Sequence, residues 1–534
     1  MKVKVRVNES GTIRNGRYAF ADRMTLVREL LQNARRAGAT QVDVSYDDIA
    51  KSLIVQDDGH GIAEWQALLS FNESGWDTSL VEHERAFGMG FSKVLYAASS
   101  VTVTSNGKVL AFECEEALAQ AELEVLPSDG LFVRGTTVQL NGVDLTGLDR
   151  LIERMVRGFP IPVRFNGVSM ERRHATDQLT LTEVDDVGHV YIAGADTGVL
   201  ASSTAVYLQG LLISDRADSY FCDGAHVDVV HLDATRFLAR APDRTELIDA
   251  DIQRPVIRAV IKQVWKKALA AHMASMPAEL FADMYFEAAV RNDCVDIFDD
   301  VPVIPRGACF EVTDYPMLGA TEECMAHPRH HVTKEQVDSG KVSVATFDPF
   351  ACDDESSFFA TLLYVRAAGL ILLDRLGDGH WARQGIRDLN AESPKALPCG
   401  EAREGQLEAI YAWSPVVLCD HVEITHGAHT VQIADDAVFH DSRILFPRTC
   451  ESGDVVRQVS SYRDEGDRFD DTAAQADCQT LERLVRTLRC DDAPSLVASL
   501  LRDVPFERYS WLAGKTFKVT LDAASADPRV EEVS

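Results

Sequence analysis

The chain has no run approaching the roughly 18 consecutive apolar residues of a membrane-spanning helix. Its opening, MKVKVRVNESG, alternates like a short strand and holds no apolar signal core. No membrane association is therefore expected, and the expected location is the cytoplasm. Paired cysteines are missing too. Eleven cysteines are scattered without a CxxC, and the count is odd. That argues against a disulfide framework or a zinc ribbon and for reduced thiols. Positive charge is scarce, with 53 Lys and Arg against 83 Asp and Glu and a net charge of −30. The deficit is uneven: residues 1–150 carry about −6, 151–275 about −2 and 276–534 about −22. Such a second half repels a nucleic-acid backbone, although a local basic groove elsewhere is not forbidden. No internal repeat is present.

What remains is an ordinary soluble composition, 46% hydrophobic and 25% charged. A chain of 534 residues is too long for one core and predicts roughly three to four domains.

Four short segments in the first 140 residues carry the chemistry. MTLVRELLQNARRA (24–37) puts Leu26, Val27, Leu30, Leu31 and Ala34 on one helical stripe. Glu29 and Asn33, four apart, share a second face. A carboxylate there can take a proton from an attacking water, and an amide oxygen one turn away suits Mg²⁺. Alone, the pair also reads as the solvated side of an amphipathic helix. Residues 40–47 and 52–56 then read as paired strands, the second running into Asp57-Asp58-Gly59-His60-Gly61-Ile62. Gly59 and Gly61 permit close backbone approach to a ligand, and Asp57 at the strand end can accept from an exocyclic amine such as adenine N6. By itself this is a common turn. The third segment is AFGMGFS, through Gly88, Met89, Gly90 and Phe91. The fourth is RGTTVQL, with Thr136 opening a strand.

In this order and spacing the segments resemble the ATP-binding domain of the GHKL superfamily, which includes DNA gyrase B, the large heat-shock chaperones, histidine kinases and MutL. The wording of 87–91 is most similar to the chaperone (HtpG-like) and MORC-like branches. The resemblance implies a Bergerat-type α/β sandwich binding ATP with Mg²⁺. Glu29 takes the place of the catalytic base and Asn33 that of the metal ligand. Asp57 takes the place of the adenine-reading aspartate, with Gly59, Gly61 and Ile62 following. Gly88, Met89, Gly90 and Phe91 take that of the phosphate-facing glycine turn, and Thr136 that of the threonine sharing a water with adenine. Ser74–Ser79 (SGWDTS) falls where the family has a mobile lid. One departure is visible: Arg36-Ala37 stands where the family has Asp-Ala, which removes a carboxylate and implies slow turnover. Glu29, and the lack of an evident phosphoacceptor-histidine helix, argue against a kinase.

Residues 151–275 are expected to form a second domain: a helix ending at Pro160, a hairpin turning at Asn166-Gly167, strands in HVYIAG, STAVYLQGLLIS and HVDVVHLD, and a helix over about 247–273. The order resembles the transducer domain that follows the ATP domain in this superfamily, where a basic residue reaches the γ-phosphate. Arg244, in PDRTEL, is the candidate for that role and Arg240 the runner-up; either also reads as a surface arginine near a helix start.

Residues 276–534 are expected to be acidic and mixed in structure. Helices are predicted over 278–292, over an apolar 357–376 interrupted by Gly369, and over about 477–502; strands are predicted in VEITHGAHTVQIA and SRILFP. Cys324, His327, His330 and His331 could hold a metal, but Pro328 between them favours a loop. The expected fold class is α+β, with an ATP-binding domain (1–150), a transducer-like domain (151–275) and an acidic C-terminal region (276–534). The expected function is a slow ATPase acting as a chaperone-like remodeller, with lid closure and ATP-dependent homodimerisation implied by the resemblance. A client protein is the expected partner ahead of nucleic acid. The alternatives are a MutL- or MORC-like nucleic-acid clamp and a nucleotide-gated scaffold with vestigial ATPase.

Overall fold

The computed structural model describes residues 3–4, 8–16, 18, 23–71, 75–77, 90–128, 134–184, 186–213, 226–240, 245–310, 328, 330–351, 355–463, 468–502, 504–520 and 529–533. It divides into two compact units, 1–297 and 298–534. Among the described residues no helix is long and apolar enough to cross a membrane. Of the N-terminal strand expected over MKVKVRVNESG, residues 1–2 and 5–7 lie outside the described residues, while Glu9–Gly11 open a helix, α1 (Glu9–Gly16).

The first unit is mixed α/β around a large mixed sheet. Helix α2 (Met24–Arg36) buries the predicted stripe and ends where Gly38 turns left-handed at φ +67°. The Ala39 N–H then bonds back to Ala34 O at 3.1 Å, a closure that satisfies a helix-end carbonyl. The strands follow as β1 (Val42–Asp47), β2 (Ser52–Asp57), β3 (Ser100–Ser105), β4 (Lys108–Glu113), β5 (Leu126–Pro127), β6 (Thr136–Asn141), β7 (Val163–Phe165) and β8 (Val168–Ser169). They lie in the order β5-β4-β3-β6-β2-β1-β7-β8. β7 joins β1 in parallel; the other pairings are antiparallel. Asn166 (φ +47°) and Gly167 (φ +81°) make the predicted hairpin turn between β7 and β8.

Alternate residues of the central strands, Val42, Val44, Leu53, Val55, Val101, Val103, Val138 and Leu140, point to one face. There they bury against Leu26, Val27, Leu30, Leu31 and Ala34 of α2. The same core takes in Ile152, Met155 and Val156 of α3 (Leu148–Val156), then Phe159, Val163, Phe165 and Leu211. Packing α2 flat on the sheet is what fixes its polar edge, and with it Glu29 and Asn33.

A second sheet in this unit is built from β9 (Thr182–Val184), β10 (Gly188–Tyr191), β11 (Ser203–Leu208), β12 (Leu211–Leu212) and β13 (Val227–Leu232), in the order β12-β11-β13-β10-β9. The single run read as STAVYLQGLLIS is two strands, because Gln209 (φ +54°) and Gly210 (φ +78°) reverse the chain. That turn reaches α2: Gln32 Nε2 donates to Gln209 O at 2.8 Å and Arg28 Nη2 to Leu212 O at 2.6 Å. Two helices follow, α4 (Ala250–Ser275) and α5 (Ala278–Arg291).

The second unit is also mixed. Its apolar stretch 357–376 is not one helix. Glu355–Ala368 is helical, Gly369 turns at φ +64°, and Leu370–Leu373 becomes a strand parallel to Ser343–Thr346. The C-terminal charged helix likewise divides into Asp471–Leu488 and Ala493–Leu501. The Asp492 carboxylate caps the second by accepting from Ser495 N at 2.7 Å. The expected strands appear as His421–His426, His429–Ile433 and Arg443–Pro447. Asp477, fully buried, accepts from the N–H groups of Ile410, Tyr411 and Ala412 and from the Tyr462 hydroxyl, all between 2.7 and 2.9 Å.

Candidate functional site

α2 runs beside the sheet so that its polar edge faces the C-terminal end of β2. Between them lies a cavity of about 170 Å³ lined by Glu29, Asn33, Arg36, Asp57, His60, Gly61, Ile62, Gly90, Phe91 and Thr136, with Gly75 and Trp76 on its wall. Four segments far apart in sequence thus converge on one space. Of the candidate residues, Gly59 packs behind this surface. Gly88, Met89 and Arg244 lie outside the described residues, as do Ser74 and Ser79 of the expected lid.

Glu29 is buried. A Cβ on Gly90 would collide with Glu29 Oε2, so the glycine leaves the carboxylate its room. Gly90 opens a turn (Phe91–Lys93) that continues into a short helix (Val94–Ala97). That turn carries Lys93, whose Nζ stands 3.7 Å from Glu29 Oε1 with both side chains almost fully buried. Asn33 lines the cavity, and its Oδ1 accepts from Arg36 Nη1 at 3.4 Å. The arginine at which the sequence departs from the resembled pattern therefore bonds the expected metal ligand.

At the other end, Asp57 pairs with Thr136 across the β2–β6 ladder. Burial pushes the Asp57 carboxyl above the usual carboxylate range, against the pull of hydrogen bonds from the Gly59 and Thr136 backbone. Gly59 N donates to Asp57 Oδ1 at 2.9 Å, and Gly59 itself lies tightly against Ala37. Gly135, at φ +102°, leaves no room for a side chain beside the Asp57 carbonyl. The neighbouring Asp58 ties the loop to the exit of α2, accepting from Thr40 N at 2.6 Å and Gln41 N at 3.1 Å.

Three contributors were not foreseen. Ser105 Oγ accepts from Ile62 N at 2.9 Å and donates to Gly135 O at 2.9 Å, joining the glycine loop to the start of β6. Asn106 Nδ2 holds His60 O at 2.9 Å, and the His60 ring meets Trp76 edge-on at 5.9 Å. Lys93 is the third. Ser105 and Asn106 had a signal in the sequence, the Asn106-Gly107 hairpin turn; Lys93 depends on tertiary approach.

Chemically the cavity offers a carboxylate and an amide oxygen at one end, an amine-accepting carboxyl at the other, and glycine-lined walls between. Residues 23–121 match the family described as histidine kinase-, DNA gyrase B-, and HSP90-like ATPase, whose members generally bind ATP and hydrolyse it. The match takes in Glu29, Asn33, Asp57, Gly61 and Gly90, stops short of Thr136, and covers well under half of the chain. No curated protein matches the chain.

Proposed function

We propose that the protein is an ATP-binding, ATP-hydrolysing conformational machine of the GHKL type, a chaperone-like remodeller in which nucleotide drives lid closure and dimerisation. The observation that carries the reading is the convergence of Glu29, Asn33, Asp57 and Thr136 on one cavity, with a family match over most of the same residues.

In this reading Asp57 accepts from the adenine amine, which supplies selectivity because a buried polar group rejects a base that leaves it unpaired. Ser105 and Thr136 hold that end in place. Glu29 orients the attacking water and takes its proton. Asn33 Oδ1 fits Mg²⁺ as a hard oxygen donor, and bound there the ion would neutralise phosphate charge. Arg36 bonds the same oxygen and brings a positive charge beside it, which fits slow turnover. Arg244 supplies positive charge to the transferred phosphoryl group, as arginine fingers do. Lid closure over Ser74–Ser79 and ATP-dependent homodimerisation belong to the same proposal, as do the transducer role of residues 151–275 and a client protein as partner.

The test is steady-state ATP turnover of the native chain and of Glu29→Gln, with no addition, with a denatured protein and with duplex DNA. Turnover that needs Glu29 and rises with the denatured protein supports the proposal. Turnover that rises only with DNA replaces the remodeller by a nucleic-acid clamp, and turnover indifferent to Glu29 removes the assigned base.

A further inference from the structure

The second unit brings three metal-type donors together on one sheet. Its strands Lys395–Cys399 and His421–His426 are antiparallel, with Cys399 opposite His421 and Leu397 opposite Glu423. Side chains alternate with period two, so Cys399, His421 and Glu423 leave the same face. Their ligand atoms all lie within 4.8 Å of one another, and all three residues are half-buried. Among the described residues this is the one group of three such donors that meets. His421 Nε2 is 3.8 Å from Glu423 Oε1. The cross-strand neighbour of Glu423, Gln432, donates to the same oxygen from Nε2 at 3.0 Å and so holds the carboxylate in orientation.

We propose that Cys399, His421 and Glu423 bind a divalent transition-metal ion, with Zn²⁺ the best fit. The donor set is mixed sulfur, nitrogen and oxygen, which zinc accepts and which Ca²⁺ and Mg²⁺, wanting oxygen alone, do not. Metal–ligand lengths of about 2.0–2.3 Å in a tetrahedron place donors about 3.3–3.6 Å apart. Closing the group from its present spread takes about 1 Å, within reach of side-chain rotation on a fixed ladder. Three protein donors leave the fourth tetrahedral position to water. Gln432 plays the part of the outer hydrogen bond that steadies a ligating carboxylate. As the metal–sulfur bond forms, the Cys399 thiol proton leaves to solvent. The ion clips two strands that the backbone ladder already joins, so binding steadies this sheet without creating it.

The test uses the full-length protein, stripped of metal and titrated with Co²⁺ as a spectroscopic substitute. One equivalent should give the visible bands of tetrahedral cobalt with a sulfur-to-metal charge-transfer band, and Zn²⁺ should displace it. Cys399→Ser should lose the charge-transfer band. Gln432→Leu should weaken Zn²⁺ binding by about 10–100-fold, the usual cost of losing such an outer partner, and His421→Ala and Glu423→Gln by at least as much. All four side chains stand on a solvent-facing surface, and circular dichroism of the metal-free variants establishes that each is folded. Should one variant fail to fold, the remaining three decide the matter. An undiminished charge-transfer band in Cys399→Ser would assign binding to another of the eleven cysteines and overturn the site, as would Co²⁺ affinity unchanged in His421→Ala and Glu423→Gln, or no cobalt spectrum in the native chain.

Discussion

Lys93 Nζ lies 3.7 Å from Glu29 Oε1 in a spot where both side chains are nearly sealed from solvent. A buried charge stripped of its partner is costly, on the order of 3–5 kcal/mol, whereas removing both charges together is often close to neutral. Lys93→Met should therefore destabilise the first unit by up to about that amount, since Glu29 keeps other contacts. The double variant Glu29→Gln/Lys93→Met should recover most of it. Urea unfolding of the two single variants and the double variant measures the coupling; additive effects would mean the pair is not energetically linked.

The end of the cavity proposed to hold adenine makes a separate prediction. Asp57→Asn turns a carboxyl proposed to accept the adenine amine into an amide that also presents donors, so ATP affinity should fall at least tenfold by calorimetry while the fold is retained. Ser105→Ala should act less directly. It strands the Ile62 N–H and the Gly135 carbonyl, a loss of about 1–3 kcal/mol, and should weaken ATP binding and lower stability together. Affinity unchanged in Asp57→Asn would mean that the base is read elsewhere.

The path from sequence to site was legible where one local periodicity decides. α2 appears because its apolar residues recur at helical spacing, and that spacing alone sets Glu29 and Asn33 on one edge. The strand-then-glycine pattern around Asp57 was readable for the same reason. What escaped depended on register or approach. The apolar run 357–376 fits a buried helix or a buried strand equally well, and only pairing of Leu370–Leu373 with Ser343–Thr346 settles its second part. Cys399 lies 20 or more residues from His421 and Glu423, so only the ladder joins them. Arg36 is legible in the sequence as a departure, whereas its bond to Asn33 depends on side-chain geometry. PDRTEL could be placed only by resemblance.

Acid should help one part of the second unit. Burial lifts Asp436 from 3.8 to about 7, outweighing Arg366 Nη1 at 3.5 Å from its Oδ2. Between those two values the folded chain holds a proton that the unfolded chain has lost, so stability falls as pH rises through the window, by at most about 1.4 kcal/mol per pH unit. Asp436→Asn keeps an oxygen for the Ala437 N–H, now 2.9 Å from Oδ1, and carries no charge. The variant should gain stability over the native chain at pH 7.5 and lose that advantage near pH 4. Parallel urea curves at the two pH values check the sign, and a variant advantage that grows on acidification would contradict it.

The last prediction separates two arginines. Arg240 is bound within its own hairpin: its Nη1 is 3.7 Å from Glu246 Oε2 and its N–H donates to Glu246 O at 2.7 Å. A side chain already paired there has less to offer a phosphate. Arg244 is the proposed finger. Arg244→Ala should lower ATP turnover by about tenfold or more with ATP affinity nearly unchanged, the pattern expected when a group acts only in the transition state. Arg240→Ala should leave turnover within about twofold, because an exposed ion pair is worth about 0–1 kcal/mol. Parallel turnover and calorimetry on both variants decide the matter. A turnover loss confined to Arg240→Ala would move the role to that residue, and equal, full turnover in both would remove the second sheet and its loops from the chemistry.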